Sequence, residues 1–229
     1  MNIDILFLNQ ELKVSNDLIS DQSLFEEYCK THSFEGKSNQ VIAMPASYSK
    51  NENLTYLVGL GDIKDSQDLY ELGINIGSKI KEDVEIDFLN TEINFVPIID
   101  GILYAQYKFN DYKSKDESAL NNIKFKKTDT IENEIKQSSI FWVRDQINTP
   151  ALDKSPEDFI QNVNNLVDSS SIKVEVFDQK WLEENNFGGV LGVAKGSDRA
   201  PYLVVGKYNE KAKYQISLIG KGVLFDSGG

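Results

Sequence analysis

Near its carboxyl end the 229-residue chain sets a lysine between two glycines, Gly220-Lys221-Gly222, and places Asp226 five residues after the lysine. Ser227, Gly228 and Gly229 follow the carboxylate. An aspartate can bind or bridge a cation through two oxygens. A lysine can do so only as the free amine, after losing its proton. Glycines on both sides let the backbone turn tightly near a ligand. The competing chemistry is a phosphate cradle, and the residues do not fit it. A P-loop needs Ser or Thr directly after Gly-Lys and an earlier glycine, whereas Gly222 follows Lys221 and position 215 is Gln. Gly59-Leu60-Gly61 fails as a dinucleotide fingerprint, because Lys64 stands at the third glycine position. It reads as a structural turn. From spacing alone, a solvated lysine and an aspartate turn are the favoured reading of Lys221 and Asp226.

Elements that would position these groups follow from periodicity. Ile3–Leu8, Gln40–Met44, Leu54–Val58 and Ile86–Leu89 are short apolar runs that predict strands. Leu69, Leu72, Ile76 and Ile80 predict a helix over 66–81, and Ile98, Ile99, Ile102 and Leu103 predict another, with Pro97 tolerated near its start. Asn110 to Ser118 is polar and predicts a loop. Ile123–Lys127 predicts an edge strand. Ile131, Ile135, Ile140, Val143 and Ile147 form an apolar stripe on a connecting helix that Pro150 should stop. Ser155-Pro156-Glu157-Asp158 is a helix start. Lys173–Phe177, Tyr202–Val205 and Gln215–Ile219 predict strands, with a short helix over Lys180–Asn186. Functional groups commonly sit at the carboxyl ends of strands in open α/β sheets, and Lys221 would follow the last of these.

Composition narrows the chemistry. Lys and Arg number 24 against 36 Asp and Glu, giving −12. Such a chain repels phosphates and argues against nucleic-acid binding. One histidine and one cysteine exclude an internal disulfide framework and a Cys/His zinc cluster. His32 lies in a polar stretch and reads as a surface residue. Cys29 follows Phe25 at helical spacing and reads as a packed thiol. Trp142 and Trp181 read as packing anchors, Arg144 and Asp145 as structural residues at a junction. No apolar run approaches the ~20 residues needed to span a bilayer, and the start lacks a basic secretory region, so the expectation is a cytoplasmic protein with no membrane partner.

The tail Ile219–Gly229 resembles the metal-binding signature of the M17 leucyl (cytosol) aminopeptidases. Trp142 to Pro150 is similar to that family's entry to its catalytic domain. Gly188 to Ser197 and Pro201 to Val205 are similar to segments that follow it, and Leu57–Asp62 and Gly101–Lys115 match more loosely. The resemblance implies an α/β fold in three parts: a macro-domain-like domain over 1–130, a connecting helix over 131–149, and over 150–229 the incomplete start of a zinc-exopeptidase-like catalytic domain. It implies two divalent ions, Mn or Zn with Mg or Co as further candidates. These bind the free amino end of a peptide and activate a bridging water. Lys221 would be the amine ligand of one ion and Asp226 the carboxylate bridging both, with no other catalytic position of the family inside the chain. It implies peptide substrates with a free N-terminus and a homohexamer. The family pattern continues past the double glycine to a further lysine, carboxylates and an arginine, so the 229 residues are expected to be an N-terminal portion, inactive alone. The alternative is a noncatalytic macro-domain-like module that binds nucleotides such as ADP-ribose, or a regulatory subunit that joins full-length enzymes.

Overall fold

A computed structural model describes residues 1–63, 65–90, 93–114, 121–126, 128–167 and 170–224. The chain divides into two compact units, Met1–Val143 and Arg144–Gly229.

The first unit is built on a five-stranded sheet. In chain order its strands are β1 (Asn2–Leu8), β2 (Val41–Met44), β3 (Leu54–Gly59), β4 (Val84–Phe88) and β5 (Ile123–Phe125). Their spatial order is β2-β3-β1-β4-β5. β3, β1, β4 and β5 are mutually parallel, with Ile3 opposite Leu54 on one side and Ile86 on the other; β2 is an antiparallel edge. β1 is buried on both faces, and its alternation distributes the core between them. Ile3, Ile5 and Phe7 face one cluster with Leu72, Ile76, Ile98, Ile99 and Ile102. Leu6 and Leu8 face another with Phe25, Cys29, Met44 and Leu57.

Three helices cover the sheet: α1 (Gln22–Thr31), α2 (Ser66–Lys79) and α3 (Phe95–Tyr104). Each begins where a side-chain oxygen takes up orphan amides. Asp21 accepts from the Leu24 amide (3.0 Å), Asp65 from those of Gln67 and Asp68 (2.8 and 3.0 Å), and Asn94 from that of Val96 (3.2 Å). Asp4 is buried in β1, where Asn51 and Asn53 donate to its carboxylate at 3.0 and 3.2 Å.

α4 (Ile131–Asn148) forms over the expected residues, but its apolar stripe faces outward. Ile131, Ile135 and Ile147 are exposed, and the buried positions are Asn133 and Gln137. Asp100 on α3 is the physical reason. Its carboxylate is buried and must be matched, which Asn133 does by donating at 2.8 Å and Lys136 by an ion pair.

In the second unit, α5 (Pro156–Val167) starts as expected. The Asp158 amide donates to Ser155 Oγ (3.0 Å), and the Ser155 amide donates back to Asp158 (2.9 Å), a reciprocal cap. β6 (Lys173–Phe177) is followed by α6 (Gln179–Glu184), capped by Asp178, then α7 (Gly188–Ala194) and β7 (Leu203–Lys207). β6 and β7 pair antiparallel, Phe177 opposite Leu203. Gln215–Ile219, expected as a strand, joins no sheet, so that expectation is corrected. A strand is stabilised by its ladder and its packing, and this run has neither a partner strand nor a covered face among the described residues.

Candidate functional site

Lys221 lies just past the unpaired run and is exposed, with Ile219 nearby 96% exposed. Asp226 and Ser227 lie outside the described residues, so their placement relative to Lys221 is not described. Among the described residues no group of three or more His, Cys, Asp or Glu is placed to hold a metal ion. The described donors therefore do not by themselves fit a dimetal centre: Lys221 is a single exposed side chain, and one donor cannot hold two ions in a defined geometry.

Trp142 to Asn148 form the last turns of α4, and just past its end Thr149 Oγ1 donates to the Asp145 carbonyl at 2.7 Å. Lys154 Nζ donates to the Gln146 carbonyl, and Asn162 donates to the Gln146 side chain at 3.3 Å, tying α5 to the helix end. Arg199 closes the same corner by donating to the carbonyls of Ala151 (2.7 Å) and Lys154 (3.0 Å). Sequence reasoning assigned no role to Arg199 or Lys154; a cation near a chain stop that leaves carbonyls unpaired was the signal available. A cavity of about 420 Å³ beside α6 and α7 is lined by Gln179, Glu183, Lys195, Ser197 and Arg199. Its arginine is the one already committed to those two carbonyls.

The Gly59-Leu60-Gly61 turn is structural. A Cβ on Gly59 would fall 2.1 Å from the Lys37 carbonyl oxygen, and one on Gly61 (φ +48°) 2.3 Å from the Ser38 nitrogen. The 36–38 backbone thus occupies the space beside the carboxyl end of β3, where a phosphate would have to approach.

Cys29 is buried, and burial together with Glu26 pushes its thiol from 9.0 up to about 11. The folded chain is therefore expected to resist a thiol-specific disulfide reagent at pH 8 and to react fully once unfolded; comparing the two states reads this directly. The raised value also fixes a sign. The thiol's contribution to stability is whole below its unfolded pKa and is lost as pH rises through about 11. His32 is exposed and stacks on Tyr28, ring centroids 4.0 Å apart, as a surface residue. Trp181 packs between Phe177 (4.2 Å) and Phe187 (5.3 Å), an anchor as expected.

Residues 141–229 match the profile described as cytosol aminopeptidase family, catalytic domain. The chain is similar to a probable cytosol aminopeptidase 1 of Shewanella oneidensis, 30% identical over 218 aligned positions that cover 86% of this chain and 42% of that protein. It is also similar to a probable cytosol aminopeptidase of Rickettsia bellii, 29% identical and covering 98% of this chain and 51% of that one. The chain thus spans about half the length, or less, of these curated relatives. Among solved structures, a leucine aminopeptidase mutant from tomato superposes with a TM-score of 0.75 at 19% identity, covering 99% of this chain and 52% of that one. A bottromycin maturation enzyme in complex with Mn gives 0.69 at 16%, covering 91% and 45%. The α/β fold of this chain is the one seen in these structures. Among the described residues no helix is long and apolar enough to cross a membrane.

Proposed function

We propose, from its similarity to the cytosol aminopeptidases, that this chain carries the opening of a metal-dependent leucyl-type aminopeptidase, an enzyme that removes N-terminal residues from peptides. The observation that carries this reading is the family match over 141–229, which runs through the Lys221 and Asp226 signature. In this reading Lys221 and Asp226 are two of the donors to a pair of divalent ions, Mn or Zn. The Mn held by the bottromycin maturation enzyme, a structural neighbour, supports a divalent metal. The domain plan is 1–130, a connecting helix over 131–149 and the catalytic part from 150. The assembled enzyme is a cytoplasmic homohexamer acting on peptides with a free amino end.

The 229 residues by themselves are inactive in this reading, because two donors cannot hold two ions in one geometry. The test is a leucyl chromogenic substrate with Mn²⁺ or Zn²⁺. The isolated 229-residue chain is expected to give no turnover above buffer. The same residues joined to the second half of the Shewanella relative are expected to give metal-dependent turnover. Turnover by the isolated chain that disappears in Lys221→Ala would refute the inactivity. A joined protein that folds and binds Mn²⁺ yet leaves every aminoacyl substrate intact would refute the activity.

A further inference from the structure

We propose that α4 is a releasable strap: over residues 131–143 it is held on the first unit by one polar latch, and it lifts from α3 in an opening far easier than unfolding of the sheet.

α4 stands outside the apolar core. None of its described residues joins either apolar cluster of the first unit, whereas α2 and α3 supply much of the larger one. The face it buries carries Asn133 and Gln137, one turn apart, while Ile131 and Ile135 stay in water. Asn133 donates to the Asp100 carboxylate at 2.8 Å and to the Val96 carbonyl at 3.3 Å. Lys136 pairs with the same carboxylate, and its own side chain is largely exposed. A cavity of about 460 Å³ opens beside this latch, lined by Asp100, Asn133 and Lys136 together with Asp129 and Glu132. The helix therefore leaves space at its own seat, unlike the packed core beneath α2 and α3. One turn further along, Gln137 is 3% exposed, yet neither its Oε1 nor its Nε2 has a hydrogen-bond partner among the described residues. Phe141 against Tyr107, ring centroids 5.2 Å apart, supplies apolar contact past that point.

The balance of these groups favours release. A buried amide without a partner has given up its hydration for nothing and regains it when the helix lifts. The Asp100 latch opposes lifting, but its Coulombic gain is offset by the desolvation of the carboxylate. The latch thus fixes where α4 sits more than how firmly it sits. An element with few buried apolar contacts and a half-satisfied polar face belongs to the low end of local stability. Lifting turns Asp100 to water and frees the stretch that leads to the second unit at Arg144.

The test is native-state hydrogen exchange on the purified 229-residue chain. The amides of 135–143 are expected to be protected, but to exchange at least about a hundredfold faster than those of β1, at rates insensitive to low urea. Gln137→Leu removes the unmatched amide and is expected to slow exchange over 135–143 about tenfold or more, with β1 unchanged. Asp100→Ala is expected to speed it about tenfold, again with β1 unchanged. A thiol introduced by Gln137→Cys is expected to label at pH 8 in the folded chain while Cys29 stays protected. Exchange of α4 at the rate of β1 would overturn the proposal, because the helix would then leave only on global unfolding. So would an α4 with no protection at all, which is a helix never seated. Unchanged or faster exchange in Gln137→Leu would show the amide to be matched, as by a buried water, and would also overturn it, as would a thiol at 137 as protected as Cys29.

Discussion

Gly101→Ala is expected to cost about 3 kcal/mol of stability, the top of the range for overpacking, and to shift the urea unfolding midpoint accordingly. α2 and α3 cross with glycines at the contact. A Cβ on Gly101 would lie 2.1 Å from the Tyr70 carbonyl oxygen and 2.7 Å from the Ile74 nitrogen. Reciprocally, one on Gly73 would lie 2.2 Å from the Ile98 carbonyl oxygen. All three obstacles are main-chain atoms of helices, so no flexible side chain can swing away. The helices must separate, which opens gaps around Leu72, Ile76, Ile98 and Ile102, all fully buried in the same cluster. Against a total of ~5–15 kcal/mol for a typical domain, the loss is large enough to lower soluble yield at 37 °C. Gly192→Ala is the control. Nothing lies within 4 Å of its would-be Cβ, so alanine there should cost nothing and can gain from better helix propensity. An unchanged midpoint for Gly101→Ala would mean that the two helices do not meet as described.

What made the first unit legible is that local pattern and tertiary need coincide there. β1 reads as apolar on both faces and is packed on both. Leu72 and Ile76 repeat at helical spacing and face the sheet, and Asp65 stands where a cap is required. Ser155 and Asp158 could be read for the same reason, because a cap is decided within four residues. The misreadings occur where a remote partner decides. The isoleucines of α4 promised a buried stripe, yet the buried face is the one carrying Asn133, because Asp100 sits 33 residues away in sequence and needs its donor. α7 went unread because three of its seven residues are glycine, the poorest helix formers after proline. Gln215–Ile219 has the composition of a strand, but pairing is a property of two segments, and no described segment pairs with it. The candidate site follows that pattern. Residue types and spacing single out Lys221 and Asp226, whereas the burial and companion donors a metal centre requires come from long-range assembly.

In the protein assembled from these 229 residues and the second half of the Shewanella relative, Lys221→Ala is expected to lower kcat at least about a hundredfold. That is the upper end of the loss seen when only an outer partner of a metal site is removed. Metal bound per chain should fall in parallel. Stability of the first unit should not change beyond about 0.5 kcal/mol, because an exposed side chain outside its core is being trimmed. That contrast separates a ligand from a structural residue: Gly101→Ala moves the unfolding midpoint, and Lys221→Ala moves metal content and turnover. Lys221→Arg sharpens the distinction. It keeps the positive charge, so an electrostatic role toward the substrate or toward nearby carboxylates would survive. A guanidinium stays protonated and offers no lone pair to a cation, so an amine-ligand role would not survive. Loss of bound metal and activity in both variants supports the donor assignment. Activity retained in Lys221→Arg overturns it, and would return Lys221 to the solvated lysine that its glycine-flanked spacing by itself favours.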